Sequence, residues 1–179
     1  TRIAAVLAIL LGATSLQAAE VQGTTFFDGF DTFDTDRWFV SDGWTNGDHQ
    51  NCLWSREAVV PGAGEVTLQF LPTGKADQPF VCGEIQTNAV FGHGTYEVRF
   101  RTDKASGINA AFFTYIGPVH DKPHDEIDFE VLTRDTSTVS LNTYVNGEPR
   151  HGTTAPMPAA ADTNFHTYSF IWEPKRLRW

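Results

Sequence analysis

Thr95-Tyr96-Glu97-Val98-Arg99-Phe100-Arg101 alternates apolar and charged side chains one for one. In an extended chain successive side chains point to opposite faces, so Tyr96, Val98 and Phe100 share one face and Glu97, Arg99 and Arg101 the other. This is the pattern of a half-buried strand in an antiparallel sheet. The same period recurs on both sides. Glu65 to Phe70 reads as a strand with Val66, Leu68 and Phe70 inward, and Phe165 to Trp172 reads as another. Beyond the N-terminal segment no apolar pattern of period 3.6 is long enough for a helix. Turn-forming residues punctuate the runs at Pro61 to Gly64, Pro72 to Gly74, Gly92 to Gly94, Gly117-Pro118, Asn146-Gly147 and Glu173-Pro174. Many short strands with polar turns predict an all-β chain folded as a sandwich of two antiparallel sheets. The Ala- and Pro-rich stretch from Thr153 to Asp162 is expected to be a surface loop and not a linker, because a strand pattern resumes directly after it.

The chain has 179 residues and a formal net charge of −9. That charge opposes binding to nucleic acid or to an anionic membrane face. Thr1 and Arg2 lead into an apolar run from Ile3 to Leu11, followed by small and polar residues to Ala19. This is the layout of a signal peptide, too short to anchor in a bilayer, so residues 1–19 are expected to be removed on export. The remainder, residues 20–179, is about the length of one catalytic domain. The start at Thr1 rather than Met predicts that the natural chain begins upstream. Arg176 to Trp179 open a strand with no turn or cap after it, which predicts truncation at the C-terminus and a chain unstable or inactive by itself. A secreted or periplasmic location is oxidising, and there the only two cysteines, Cys52 and Cys82, are expected to pair, the alternative being two separate buried thiols. Closing that loop would stabilise the fold by roughly 3 kcal/mol.

Asp125-Glu126-Ile127-Asp128-Phe129-Glu130-Val131 carries the chemistry. On a strand, Ile127, Phe129 and Val131 anchor one face in the core while Glu126, Asp128 and Glu130 stand in a row on the other. Packed like charges raise at least one pKa, so such a row usually has a use. Retaining glycoside hydrolysis needs one ionised carboxylate as nucleophile and one protonated carboxyl as acid, about 5 to 5.5 Å apart. Strand positions i and i+4 have Cα atoms roughly 13 Å apart, so the two longer Glu side chains must lean toward each other over the shorter Asp128. Asp128 would then hydrogen-bond a catalytic carboxyl and keep its proton state and orientation correct. The alternatives are a metal cluster, although calcium favours a curved loop, and a solvated acidic face.

His124-Asp125-Glu126-Ile127-Asp128-Phe129-Glu130 resembles the E-x-D-x-E signature of the family 16 glycoside hydrolases, in the uninterrupted form of bacterial lichenases. The resemblance extends through Phe26-Phe27-Asp28-Gly29-Phe30, Asp42-Gly43-Trp44-Thr45-Asn46-Gly47, Cys82-Gly83-Glu84, Gly92 to Arg99, Phe112 to Pro118, Tyr144 to Gly147 and Phe165 to Tyr168, in the same order. It implies a concanavalin-like β-jelly roll with a cleft, Glu126 as nucleophile, Glu130 as acid/base and Asp128 as helper. It also implies the Cys52–Cys82 disulfide and sugar contacts at Trp44, Asn46, Glu84, Phe113, Tyr115, Asn142 and Tyr144. Aromatic faces and amides suit that work, although Phe113 and Tyr115 are also plausible core residues and Asn46 a turn residue beside Gly47.

Two positions depart from the lichenase pattern. His124 stands where a Trp is usual and Gln86 where an Arg is usual, and both are expected to alter sugar contacts and to depart from a strict mixed-linkage cereal-type specificity. The stretch from Gly117 to Val131 is more similar to rhizobial family 16 glycanases that shorten the acidic polymer succinoglycan. The resemblance further implies a structural calcium held partly by backbone oxygens at Gly29 and Gly64, with no catalytic metal or cofactor. The expected partner is a polysaccharide, and a monomer is the default. Hydrolysis of β-1,3-1,4-glucan or of a succinoglycan-type polymer is therefore expected. The competing readings are a β-1,3-glucanase, a transglycosylase and a carbohydrate-binding module on the same sandwich.

Overall fold

The computed structural model describes residues 22–47 and 49–179, so the expected export segment lies outside the described residues. The described chain is built of strands, with two 3-10 turns, Arg56–Ala58 and Pro118–His120. It divides into two compact units, Thr1–Phe91 and Gly92–Trp179.

The first unit holds seven short strands: β1 (Trp38–Val40), β2 (Leu53–Trp54), β3 (Val59–Pro61), β4 (Val66–Leu68), β5 (Phe70–Pro72), β6 (Phe80–Cys82) and β7 (Ile85–Thr87). Strand β1 pairs β7, β3 pairs β4, and β6 lies between β2 and β5. The Cys52–Cys82 disulfide is formed, and the half-cystines pack with Trp54, Phe70 and Phe80 into a small apolar cluster.

Three expectations are corrected here. The run Glu65 to Phe70 is not one strand, because Gln69 changes partners: its N–H donates to Ala58 O at 2.8 Å and its C=O accepts from Gly83 N at 2.9 Å. Leu68 therefore does not point inward with Val66 and Phe70, and 47% of it is exposed. Gly83 makes this crossing feasible, since a Cβ there would sit 2.3 Å from the Ala58 carbonyl oxygen. Strands β2 and β6 run parallel, so the pairing is not antiparallel throughout.

The second unit is a sandwich. Its strands are β8 (Gly94–Phe100), β9 (Asn109–Ile116), β10 (Asp125–Leu132), β11 (Thr138–Val145), β12 (Glu148–Pro156), β13 (His166–Glu173) and β14 (Arg176–Arg178). One sheet has the order β12-β11-β10-β9 and the other β14-β13-β8, with antiparallel pairing throughout. The alternation read from residues 95–101 holds: Tyr96, Val98 and Phe100 are half-buried while Glu97 and Arg99 are exposed. Ile127, Phe129 and Val131 of β10 and Val139 and Leu141 of β11 pack with Tyr168 and Phe170 of β13. Aromatic stacks tie β8 to β13, Tyr96 on Phe170 at 4.8 Å and Phe100 on Tyr168 at 4.2 Å.

The expected loop from Thr153 to Asp162 is shorter than its composition implied. Thr153 to Pro156 continue β12, because Leu141, Ser140, Val139 and Thr138 of β11 offer them a ladder. Ala161 is fully buried in the core, so the remaining turn is pinned at its far end. The Asn146-Gly147 turn joins β11 to β12 with both residues at positive φ (54° and 79°), the conformation a tight hairpin requires.

Phe170 is fully buried and touches rings from three other strands. Phe170→Ala is expected to destabilise the fold by about 3–5 kcal/mol, read by denaturant melts. A loss below about 1 kcal/mol, the size expected of a surface change, would show that the sandwich core lies elsewhere.

Candidate active site

Strand β10 is the central element of the site. Ile127, Phe129 and Val131 are buried in the core, which turns Glu126, Asp128 and Glu130 to the opposite face. On β9, Tyr115, Phe113 and Ala111 lie directly opposite those three carboxylates, and on β11 Tyr144, Asn142 and Ser140 do the same. Residues directly opposite share a face, so the sheet presents one surface of three acids flanked by two aromatic residues, a phenol and an amide.

Phe113 and Tyr115 are 37% and 42% exposed and belong to this face, not to the core. Tyr115 folds back over Gly117, where a Cβ would sit 2.1 Å from the phenol oxygen, so a larger residue at 117 would displace the ring.

Glu126 and Glu130 have different neighbours. His124 Nε2 lies 2.6 Å from Glu126 Oε2. The imidazole is stacked on Tyr144 with centroids 5.2 Å apart and tilted against Tyr115 at the same distance. The backbone holds it there, as Gly147 N donates to His124 O at 2.8 Å and Asn146 N to Asp125 Oδ1 at 2.9 Å. His124 was expected chiefly to alter a sugar contact, but it directly partners one carboxylate of the row. Glu130 accepts hydrogen bonds from two carboxamides: Asn142 Nδ2 on Oε2, and Asn109 Nδ2 on Oε1 at 2.6 Å. Sequence reasoning missed Asn109. The signal was its place in the alternation Asn109, Ala111, Phe113, Tyr115, visible only once β9 is known to begin at residue 109.

Asp128, between the two, is only 5% exposed. Burial, then the charges of Glu126 and Glu130, then a hydrogen bond with Glu126, push its carboxyl up from 3.8 to about 8. At neutral pH it is therefore mainly protonated and donates to Glu126. Burial and the same three acids also raise the Tyr144 phenol.

The other expected site residues belong to the first unit. Trp44 is 38% exposed and meets Trp54 edge-on at 6.1 Å. Asn46 Oδ1 accepts from Trp54 Nε1 at 3.4 Å, a contact beyond simple turn chemistry. Glu84 is buried and accepts from Ser41 Oγ at 2.5 Å and Gln86 Nε2 at 2.6 Å, so Gln86 supplies a neutral donor at the position where an Arg was expected. Gly29 and Gly64 lie on adjacent backbone, with Gly64 N donating to Phe30 O at 3.0 Å and the Gly29 carbonyl oxygen 4.0 Å from where a Gly64 Cβ would sit. Calcium takes about six to eight oxygens. Backbone oxygens at Gly29 and Gly64 would supply two of them.

The model of the glycosyl hydrolases family 16 matches residues 46–179. The endo-1,3-1,4-beta-glycanase ExoK of Rhizobium meliloti is 50% identical over 155 residues, covering 87% of this chain and 58% of that protein. A beta-glucanase of Bacillus amyloliquefaciens is 39% identical over 171 residues, covering 95% of this chain and 70% of that protein. The solved beta-glucanase of Bacillus licheniformis superposes with a TM-score of 0.83 at 36% identity, over 88% of this chain and 73% of that one. These likenesses bear out the jelly-roll class. The chain spans somewhat over half the length of the Rhizobium protein.

The raised Asp128 carboxyl sets a pH dependence. The group binds its proton more tightly folded than unfolded, so its contribution to stability is complete below about pH 4 and is lost as pH rises through about 8. At about 1.4 kcal/mol per pKa unit the loss is on the order of a few kcal/mol. Asp128→Asn cannot ionise. Its melting temperature is expected to change little between pH 5 and 9 and to exceed the wild type's at pH 9; parallel curves for the two proteins would contradict the assignment.

Proposed function

The chain belongs to family 16 of the glycosyl hydrolases, and from that premise we propose that it is a secreted, retaining endo-β-glucanase that cuts β-1,3-1,4-linked glucan chains by double displacement. The observation that carries this reading is the row of three carboxylates on β10 with the middle one mainly protonated. A protonated Asp128 donates to Glu126, which keeps Glu126 ionised and aimed as the nucleophile. Glu126 attacks the anomeric carbon while Glu130, in its acid form, gives its proton to the leaving glycosidic oxygen, so one C–O bond forms as the other breaks. Glu130, now ionised, takes a proton from water, and that water displaces Glu126 from the sugar. Glu126 leaves as a carboxylate that Asp128 and His124 again receive. Two carboxyls suffice for this cycle, so it needs no metal or organic cofactor.

Phe113, Tyr115 and Tyr144 offer ring faces to the C–H faces of glucose, and Asn142 offers an amide to hydroxyls. The name of the Rhizobium relative supports a β-1,3-1,4-linked substrate, and that of the Bacillus relative supports a β-glucan. A succinoglycan-type polymer is the second reading, favoured by His124, which replaces the usual lichenase Trp and turns its Nε2 to Glu126. A secreted or periplasmic site of action is supported by the Cys52–Cys82 disulfide.

The test is reducing-sugar release by the full-length protein from barley β-glucan, laminarin and succinoglycan beside its Glu126→Gln variant. Cleavage of at least one polymer is expected, with a loss of at least about a thousandfold in the variant and the β-anomer as first product by proton NMR. An active Glu126→Gln variant would remove Glu126 from the nucleophile role. The α-anomer would replace double displacement with inversion, and binding without cleavage would leave a carbohydrate-binding module.

A further inference from the structure

The two catalytic carboxyls are held by different chemistry. Glu126 is served by ionisable groups, His124 and Asp128. Glu130 is served by two neutral carboxamides, one from each flanking strand. Directly opposite Glu130 lie Ala111 on β9 and Ser140 on β11, both small, so no bulky side chain in register wedges its carboxyl. Asn109 and Asn142 reach it instead from one pleat away in either direction: Asn142 pairs with Asp128, two positions before Glu130, and Asn109 pairs with Leu132, two positions after. The carboxyl is thereby clamped lengthwise along β10, the direction in which it must lean to face Glu126 across Asp128.

The proton cycle leaves both amides able to hold the carboxyl. When Glu130 is ionised, both can donate N–H to it, as they do here. When it carries the proton, that proton points at the leaving glycosidic oxygen, and the carboxyl oxygens keep lone pairs for the amide N–H groups, so both amides can hold it in either state. Asn142 is half-buried, and its Oδ1 lies 3.2 Å from where a Gly152 Cβ would sit, close under β12. Asn109 is exposed at the first residue of β9, and its Nδ2 donates to Glu130 Oε1.

We propose that Asn109 is the positioning residue of Glu130, fixing the acid/base carboxyl in its leaning rotamer through the hydrogen bond from Nδ2 to Oε1. The inference rests on the glycanase reading and deepens it. A positioning fault at Glu130 should slow the acid-assisted first displacement, and kcat/KM for a leaving group that departs without a proton should escape it. A general acid contributes about a hundredfold or more, and misplacement removes part of that.

The experiment compares the full-length protein with Asn109→Val and Asn109→Gln on two substrates, barley β-glucan and a dinitrophenyl oligoglucoside whose leaving group departs without a proton. For Asn109→Val, kcat on β-glucan is expected to fall about tenfold with KM unchanged, while kcat/KM for the aryl glycoside stays within about twofold. The basic limb of the pH–rate profile on β-glucan is expected to move up by about half a pH unit, because a donor to the carboxylate form is lost. Asn109→Gln, which keeps the amide, should recover most of the rate. Unchanged kinetics in Asn109→Val, or an equal loss on both substrates, would overturn the proposal while leaving the glycanase standing. A wild-type protein that cleaves neither substrate would overturn the glycanase reading and this inference with it.

Discussion

The structure depends on placing three carboxyl groups in a row on one strand. Glu126, Asp128 and Glu130 repel one another if all ionise, and the strand tolerates them only because its other face is held by Ile127, Phe129 and Val131 in the sandwich core. Burying those three apolar side chains is worth a few kcal/mol each. That anchoring fixes which face the acids occupy, since a shift of one residue in register would exchange the two sets. The remaining repulsion is relieved locally: Asp128 keeps its proton at neutral pH and turns a repulsive neighbour into a hydrogen-bond donor. A chemically useful asymmetry results, with Glu126 beside a neutral acid and His124, and Glu130 beside two carboxamides.

Neighbouring strands then divide the work. The β11–β12 turn fixes the backbone of His124, whose ring contacts Glu126, Tyr115 and Tyr144 together. Small residues at Ala111, Ser140 and Gly152 leave space around Glu130 and Asn142 for side-chain hydrogen bonds rather than packing to set their geometry. The apolar side of the sheet is packed tightly and the carboxylate side is organised by polar contacts, so stability and chemistry are carried on opposite faces of the same strand.

Much of this was legible in the sequence because strand alternation has a period of two. The face assignment of β8, the acid row of β10 and the hairpin at Asn146-Gly147 all follow from local pattern. What was not legible depends on partners distant in sequence. Gln69 splits one apparent strand because Ala58 and Gly83 claim its backbone, and Thr153 to Pro156 are strand because β11 runs beside them. Composition at 153–162 favoured a loop, and tertiary pairing overrode it. His124 and Asn109 show the same limit at the site. Their residue types were plain, but a hydrogen bond to Glu126 or Glu130 is set by register across the sheet, which periodicity alone does not give.

The division of roles between Glu126 and Glu130 turns on the proton that Asp128 holds between them. Carbon-13 NMR of the protein labelled at aspartate carboxyls, with Asp128 assigned by its Asn variant, follows that proton directly across pH 3 to 10. The account predicts a carboxyl that stays protonated through neutral pH and titrates near 8. A midpoint in the ordinary carboxylate range, near 4, would mean that all three acids are ionised together, and the division of roles between Glu126 and Glu130 would lose its basis.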